Sequence, residues 1–332
     1  MGVRPEVGRE HLSHVSPSAG IERSARLTNH RDPIGFPVSV VIAARNRPEH
    51  LKRLVLSLRA QSLAPQEIII VDDGSQPPLP ILEETLALRN ETGQGACQAR
   101  NLGFRHATGK YVLIFDDDAE LQDGTLVERA VILAERIPNL GVIGFRQLNS
   151  EGQIHWMQPA GGEQLRLVPS FAGYGALISR TAFQAVGGFF EPLGYYWEEN
   201  ELSLKMIDQG FLVVYDPSLK VTHHENPVGR DYRVIHRLCW RNALYAIAAR
   251  YPLPLIPLGI GVSTLRWMRL ARSWKEFRWA DLAWGLTSLF RSLPKLISHR
   301  KPVRAKTLLQ LRRSRTEVLV PTLHYPPSAN QS

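Results

Sequence analysis

Four short aliphatic runs constrain this chain more than anything else in it. Val38–Ile42, Glu67–Val71, Lys110–Phe115 and Leu140–Phe145 are nearly continuous in Val, Ile, Leu and Phe, with helical patterns between them. After Pro48, which suits a first helical turn, Leu51, Leu54, Val55 and Leu58 recur at helical spacing, and Leu126, Ala130, Leu133 and Ile137 repeat the pattern. Residues 80–90 and Gly95–Ala107 read as two more helices. Strands apolar on both faces that alternate with helices imply a parallel sheet covered on both sides. The expected class is therefore α/β: a Rossmann-like, mostly parallel sheet sandwiched by helices. Beyond residue 150 the reading is a Gly/Pro-rich loop at 158–175, helices at 181–187 and 200–209, and a strand at Phe211–Tyr215. No internal repeat is visible.

Charge divides the chain. Residues 1–228 hold 21 Lys and Arg against 27 Asp and Glu, whereas residues 229–332 hold 19 against 4. The acidic body and basic C-terminal third imply two jobs, one of them docking on something anionic. Two distant cysteines, Cys97 and Cys239, exclude a disulfide framework and a zinc finger and fit a reducing cytosol. Residues 1–36 contain no apolar stretch, so a polar, flexible N-terminal segment without a signal peptide is expected. The longest uncharged apolar stretch, 251–265, would reach only ~22 Å as a helix and contains Pro252, Pro254 and Pro257. A bilayer core needs about 30 Å, so no spanning helix is expected.

In an open parallel sheet, ligands bind at the carboxyl ends of strands. Two acidic clusters fall there: Asp72-Asp73 after the second run and Asp116-Asp117-Asp118 after the third. Asp-Asp-Gly-Ser alone fits a solvated turn. Three consecutive carboxylates at the end of a buried strand repel one another unless a cation relieves them. Asp116 and Asp118 can offer oxygens to one hard divalent ion, which in turn can bridge two phosphate oxygens.

Val38–Asn46, the Asp72-Asp73-Gly74-Ser75 turn, Gly95-x₄-Arg100-Asn101-x-Gly103 and the Asp116–Asp118 triplet resemble the nucleotide-binding half of family 2 glycosyltransferases with the GT-A fold. Val186-Gly-Gly-Phe-Phe-Glu191, Trp197-Glu-Glu-Asn-Glu-Leu202 and His223-His224 resemble the acceptor half, in the same order. The resemblance spans about 38–227. It places the nucleotide against Ala43, Ala44, Arg45, Asp73, Arg100, Asp116 and Asp117, with Asp73 at the nucleobase imide and Arg100 facing the diphosphate. Where the family usually has Pro-Thr-Tyr or similar, this chain has Ala43-Ala44-Arg45. The metal, Mn²⁺ or Mg²⁺, falls to Asp116 and Asp118 with His223 as third ligand; a nitrogen donor favours Mn²⁺.

Inverting glycosyl transfer needs one carboxylate to take the acceptor hydroxyl proton and positive charge on the departing diphosphate. Glu198-Glu199-Asn200-Glu201-Leu202 matches the family's Glu-Asp-x-Asp-Leu with Glu for both Asp, which puts Glu199 at the base position and Glu198 next to it. The resemblance thus implies a cytoplasmic glycosyltransferase that uses a UDP-, GDP- or dTDP-sugar in cell-envelope or polysaccharide biosynthesis. The competing readings are a non-catalytic nucleotide-sugar-binding protein and a metal-dependent nucleotidyltransferase. The expected organisation is 37–228 as the GT-A domain (37–147 nucleotide-binding, 148–228 acceptor) and 229–332 as a basic helical extension. In that extension Trp279, Leu282, Ala283, Leu286, Leu289, Phe290, Leu293 and Ile297 trace one helix face beside Arg278, Arg291 and Lys295. This pattern suits peripheral contact with anionic lipid at the inner face of the membrane, and hence a lipid-linked or glycan acceptor. Arg312-Arg313-Ser-Arg315 comes with no base-reading module, so nucleic acid is not an expected partner.

Overall fold

The fold was taken from a computed structural model that describes residues 21–23, 37–154, 162–224 and 231–313. In chain order the elements are β1 (Ile21–Arg23), β2 (Val38–Ala44), α1 (Pro48–Arg59), β3 (Glu67–Asp73), β4 (Leu86–Asn90), α2 (Ala96–His106), β5 (Tyr111–Asp116) and β6 (Ala119–Leu121). There follow α3 (Leu126–Arg136), β7 (Leu140–Leu148), β8 (Arg166–Leu167), β9 (Gly175–Ser179), α4 (Arg180–Ala185), α5 (Glu198–Asp208) and β10 (Leu212–His223). Helices α6 (Tyr232–Arg250), α7 (Ile256–Ser273), α8 (Trp279–Ser298) and α9 (Ala305–Arg313) complete the chain.

All but β8 lie in the order β1-β4-β3-β2-β5-β9-β7-β10-β6. Strands β4, β3, β2 and β5 run parallel, as their continuous aliphatic sequences require. The chain winds outward from β2 through β3 to β4 and then returns to β5 on the other side of β2. This reversal opens a crevice at the carboxyl ends of β2 and β5, where ligands of such sheets bind. One face is covered by α1 and α3 through Leu51, Leu54, Leu58, Leu126 and Leu133. The other is covered by α2, α4, α5 and the C-terminal helices through Phe104, Phe183, Leu202, Trp240 and Leu289.

The C-terminal helices share this core and are tied to the body by ion pairs. Arg250 Nε of α6 donates to Glu201 Oε1 of α5 at 2.6 Å, both side chains being buried. Asp208 accepts from the Arg304 backbone N–H at 2.9 Å and the Thr307 hydroxyl at 2.6 Å. Gly285 is needed where α8 crosses α6, because a Cβ there would lie 2.1 Å from the Trp240 ring. The prolines of 251–265 sit in a 3₁₀ turn (Leu253–Leu255) and in the first turn of α7, where proline costs no helical hydrogen bond. Among the described residues, no helix is long and apolar enough to cross a membrane.

Four expectations are corrected. Residues 80–90 are not a helix: a turn leads into β4, which pairs in parallel with β3. Pro80 opens the segment, and an isolated helix of about three turns cannot compete with a ladder against a buried strand. The segment 1–36 contains a strand, β1, which pairs antiparallel with β4 and covers its otherwise open edge. The sheet is also less parallel than its first half, because β9 inserts antiparallel between β5 and β7. The α8 stripe divides as well: Leu289 is buried, whereas Trp279, Leu286, Phe290 and Ile297 are exposed. The boundary at 228/229 falls outside the described residues, as does Arg315.

Candidate functional site

Strands β2 and β5 end side by side, with Ala43 opposite Asp116 in register. Ala44 is packed into the core beneath, while Arg45 is exposed at the crevice. The Arg45 guanidinium lies over Gly93, where a Cβ would fall 2.2 Å from its Nη1. Asp73 is buried and accepts from the Asn90 side chain at 2.7 Å and from the backbone N–H groups of Gln94 (2.9 Å) and Gly95 (2.8 Å). It shapes the loop leading into α2.

The Asp116–Asp118 turn is built differently. Asp117 accepts the Arg45 backbone N–H at 3.0 Å, and one Arg47 nitrogen lies 2.8 Å from both Asp117 and Asp118. Burial pushes the Asp117 carboxyl up to about 6 despite Arg47. Arg47, which the sequence reading passed over, supplies positive charge that three adjacent acids require. Its signal was its place, just beyond β2 and opposite the end of β5.

At the end of β10, His223 Nε2 lies 2.8 Å from Asp118 Oδ1, and its Nδ1 meets the Gln147 side chain at 2.5 Å. Asp116, Asp118 and His223 each present a ligand atom within 4.8 Å of the others. Two carboxylate oxygens and an imidazole nitrogen are a donor set suited to Mn²⁺ and acceptable to Mg²⁺. An amide carries both an acceptor and donors, so Gln147 can hold whichever ring tautomer leaves Nε2 a lone pair. The residues present therefore fit a divalent ion. His224 turns elsewhere, with Nε2 2.6 Å from Glu120.

Arg100 differs from its expectation. Instead of facing an open diphosphate site, its side chain is 2% exposed and bridges Asp116 (2.7 Å) to Glu198 (3.0 Å). These two carboxylates raise its pKa further in spite of its burial. Glu198 is thereby committed to Arg100. Glu199 accepts the Gly173 backbone N–H at 3.0 Å and keeps partial exposure. Burial, and then the neighbouring Glu198 charge, pushes Glu199 up to about 8. A side chain at 173 would displace these groups: a Cβ would stand 2.6 Å from Glu199 Oε1 and 2.7 Å from Arg100 Nη2. Gly173 lies in a stretch that the sequence left as loop.

The arrangement thus joins a three-donor cation cluster to a carboxylate with raised proton affinity through one buried arginine. Residues 39–187 match the family described as glycosyl transferase family 2. The pre-mycofactocin glycosyltransferase of Mycobacterium tuberculosis is 26% identical over 280 residues, 78% of this chain and 55% of that protein. The N-acetylglucosaminyl-diphospho-decaprenol L-rhamnosyltransferase of the same species is 26% identical over 242 residues, covering 58% and 78%. The chain thus spans about half the length of the first of these relatives. Among solved structures, GalNAc-T7 with UDP, GalNAc and Mn²⁺ superposes with a TM-score of 0.52 at 18% identity, over 65% of this chain and 48% of that one. The fold is GT-A with a C-terminal helical extension, and residues 39–187 of the chain are similar to the family 2 glycosyltransferases.

Proposed function

We propose that this protein is an inverting glycosyltransferase that moves a sugar from a nucleoside-diphosphate sugar to an acceptor hydroxyl in cell-envelope or polysaccharide biosynthesis. The observation that carries this reading is the buried Arg100, which joins the Asp116–Asp118–His223 cluster to Glu198, the neighbour of Glu199. Residues 37–147 form the nucleotide-binding half and 148–228 the acceptor half. Arg45 and the loop shaped by Asp73 border the nucleoside. Asp116, Asp118 and His223 would hold Mn²⁺ or Mg²⁺, and the bound ion supplies positive charge to the departing diphosphate. Glu199 takes the acceptor proton as that oxygen bonds to the anomeric carbon. The bond from this carbon to the diphosphate oxygen breaks, and its electron pair leaves with the nucleoside diphosphate. Arg100 occupies Glu198, so that Glu199 is the carboxylate open to the acceptor. The match of residues 39–187 to glycosyl transferase family 2, the Mn²⁺-bearing structural relative and the decaprenol-linked substrate in one relative's name support this assignment.

The test is calorimetry of UDP, GDP and dTDP with Mn²⁺. Asp118→Ala should lose Mn²⁺-dependent nucleotide binding entirely, and an unchanged affinity would refute the metal assignment.

The same reading includes peripheral contact with an anionic membrane at its cytoplasmic face, and a lipid-linked or glycan acceptor. Its support is the excess of 19 basic over 4 acidic residues after 228 and the exposure of Trp279 (68%), Phe290 (75%) and Ile297 (64%) on α8. The full chain should float with phosphatidylglycerol vesicles, and W279S/F290S should float several-fold less. Equal flotation would reject the contact.

A further inference from the structure

Asn242 lies in the middle of α6, a position for which asparagine has poor helix propensity, and it is completely buried. Its amide nitrogen bonds outside its own helix. Nδ2 lies 3.0 Å from the carbonyl oxygen of Leu193, 2.8 Å from that of Tyr195 and 2.7 Å from that of Tyr196. Its Oδ1 accepts from Arg241 Nε at 2.9 Å and Nη2 at 2.6 Å, and the same Nη2 reaches the Leu193 carbonyl at 3.2 Å. An amide group and a guanidinium on α6 therefore gather three carbonyls of one turn, those of Leu193, Tyr195 and Tyr196.

That turn is the one that delivers the carboxylates. Tyr196 and Trp197 have φ of 71° and 72°, a left-handed conformation that bulky residues adopt only when their surroundings impose it. The next residue is Glu198, the first of α5. On the opposite side, the Gly194 carbonyl accepts the Cys97 N–H at 3.0 Å, at the start of the helix that carries Arg100. The turn is thus held between α2 and α6, and its direction sets where Glu198 and Glu199 leave it.

The geometry points to Asn242 as a positioning residue for glycosyl transfer: from the C-terminal extension, it holds the strained 193–197 turn so that Glu199 faces the acceptor. This rests on the assignment of Glu199 above. On this reading the extension is part of the machinery of transfer as well as a surface, and α6 cannot be removed without disordering the base.

Two readouts on the full chain test this. Asn242→Asp keeps shape and volume but replaces both N–H donors with an oxygen facing three carbonyls. Hydrogen exchange, which needs no ligand, should accelerate at least tenfold in peptides covering 191–201 and stay unchanged in β2 and β5. With the nucleotide sugar that the wild type turns over, kcat should fall roughly 100-fold, the scale of a misplaced catalytic group, while donor KM stays within about threefold. The acid limb of the kcat pH profile should also move, which a loss of folded protein alone would not do. Wild-type exchange at 191–201 in the variant would overturn the inference, as would faster exchange with an unchanged kcat. If exchange rises across the whole sheet, Asn242→Ser, which keeps one donor without adding charge, is read by the same criteria. A wild-type chain inactive on all nucleotide sugars would refute the Glu199 assignment, and the exchange comparison would still decide whether Asn242 holds the turn.

Discussion

Two acidic turns stand at the carboxyl ends of β3 and β5, on either side of β2, and they are neutralised in different ways. At β3, Asp72 accepts the Ser75 N–H at 2.8 Å and the Leu79 N–H at 3.1 Å and pairs with Arg89, while Asp73 accepts from Asn90, Gln94 and Gly95. Much of that bonding comes from the backbone, so these oxygens are fixed in place by the chain they hold. At β5, Asp116 and Asp118 are balanced by side chains, namely Arg100, Arg47 and His223. Side chains can exchange places with an ion or a substrate, and backbone amides cannot do so without undoing the turn. On the proposed function, the first turn therefore builds the site and the second one works in it.

The contrast is sharpest at Glu199, whose neighbour Glu198 is tied to Asp116 of β5 through Arg100. Glu199→Gln keeps an oxygen for the Gly173 N–H but cannot take a proton. Transfer should fall ~1,000-fold, within the usual range for a general base, while calorimetry finds donor binding unchanged. A transfer rate above a tenth of wild type would remove Glu199 from the reaction. The pH dependence follows from the same group. With its pKa raised to about 8, Glu199 is protonated and inactive below that value, so the rate should rise about tenfold per pH unit towards 8 and then level. The stability effect has the opposite sign. A raised carboxyl pKa means that the folded state binds the proton more tightly, so stability falls as pH rises from about 4.5 to about 8. Above pH 8, Glu199→Gln should therefore melt a few degrees higher than wild type, and a rate independent of pH would break the assignment.

Gly173→Ala tests the same junction with a smaller expected effect. The new methyl group would overlap Glu199 Oε1 and Arg100 Nη2, and one or both must move. Displacement on the ångström scale should lower kcat about 100-fold with the melting temperature nearly unchanged. A fully active variant would mean that the segment at 173 does not set the position of Glu199.

What the sequence revealed and what it hid follow from how local each signal is. The aliphatic runs of β2, β3 and β5 carry their own pattern, and Asp116 and Asp118 lie two residues apart on one turn. His223 and Glu199 became legible only through the order of the family's motifs. Arg47 is adjacent to Asp117 and Asp118 only after the sheet forms, and Gly173 acts through the space it leaves. Strand β4 shows just five residues of weak alternation, because its stability lies in hydrogen bonds to β3. The α8 stripe misled for a similar reason: one apolar face met two environments, Leu289 against α6 and Phe290 against solvent.

The smallest expected effect on function belongs to Asp72→Asn, and it asks whether the two turns are as different as their bonding says. An asparagine retains one acceptor for the Ser75 or the Leu79 N–H and turns an NH₂ group towards the other and towards Arg89. One buried donor is left unmatched, which costs about 1–3 kcal/mol. The melting temperature should fall by a few degrees. The cation cluster stands on another strand and shares no ligand with Asp72, so the affinity of the variant for Mn²⁺ and nucleotide should stay within about twofold. If Asp72→Asn instead lost Mn²⁺-dependent binding as Asp118→Ala should, the β3 acids would belong to the ion as well. The division between a turn that builds the site and a turn that works in it would then fail.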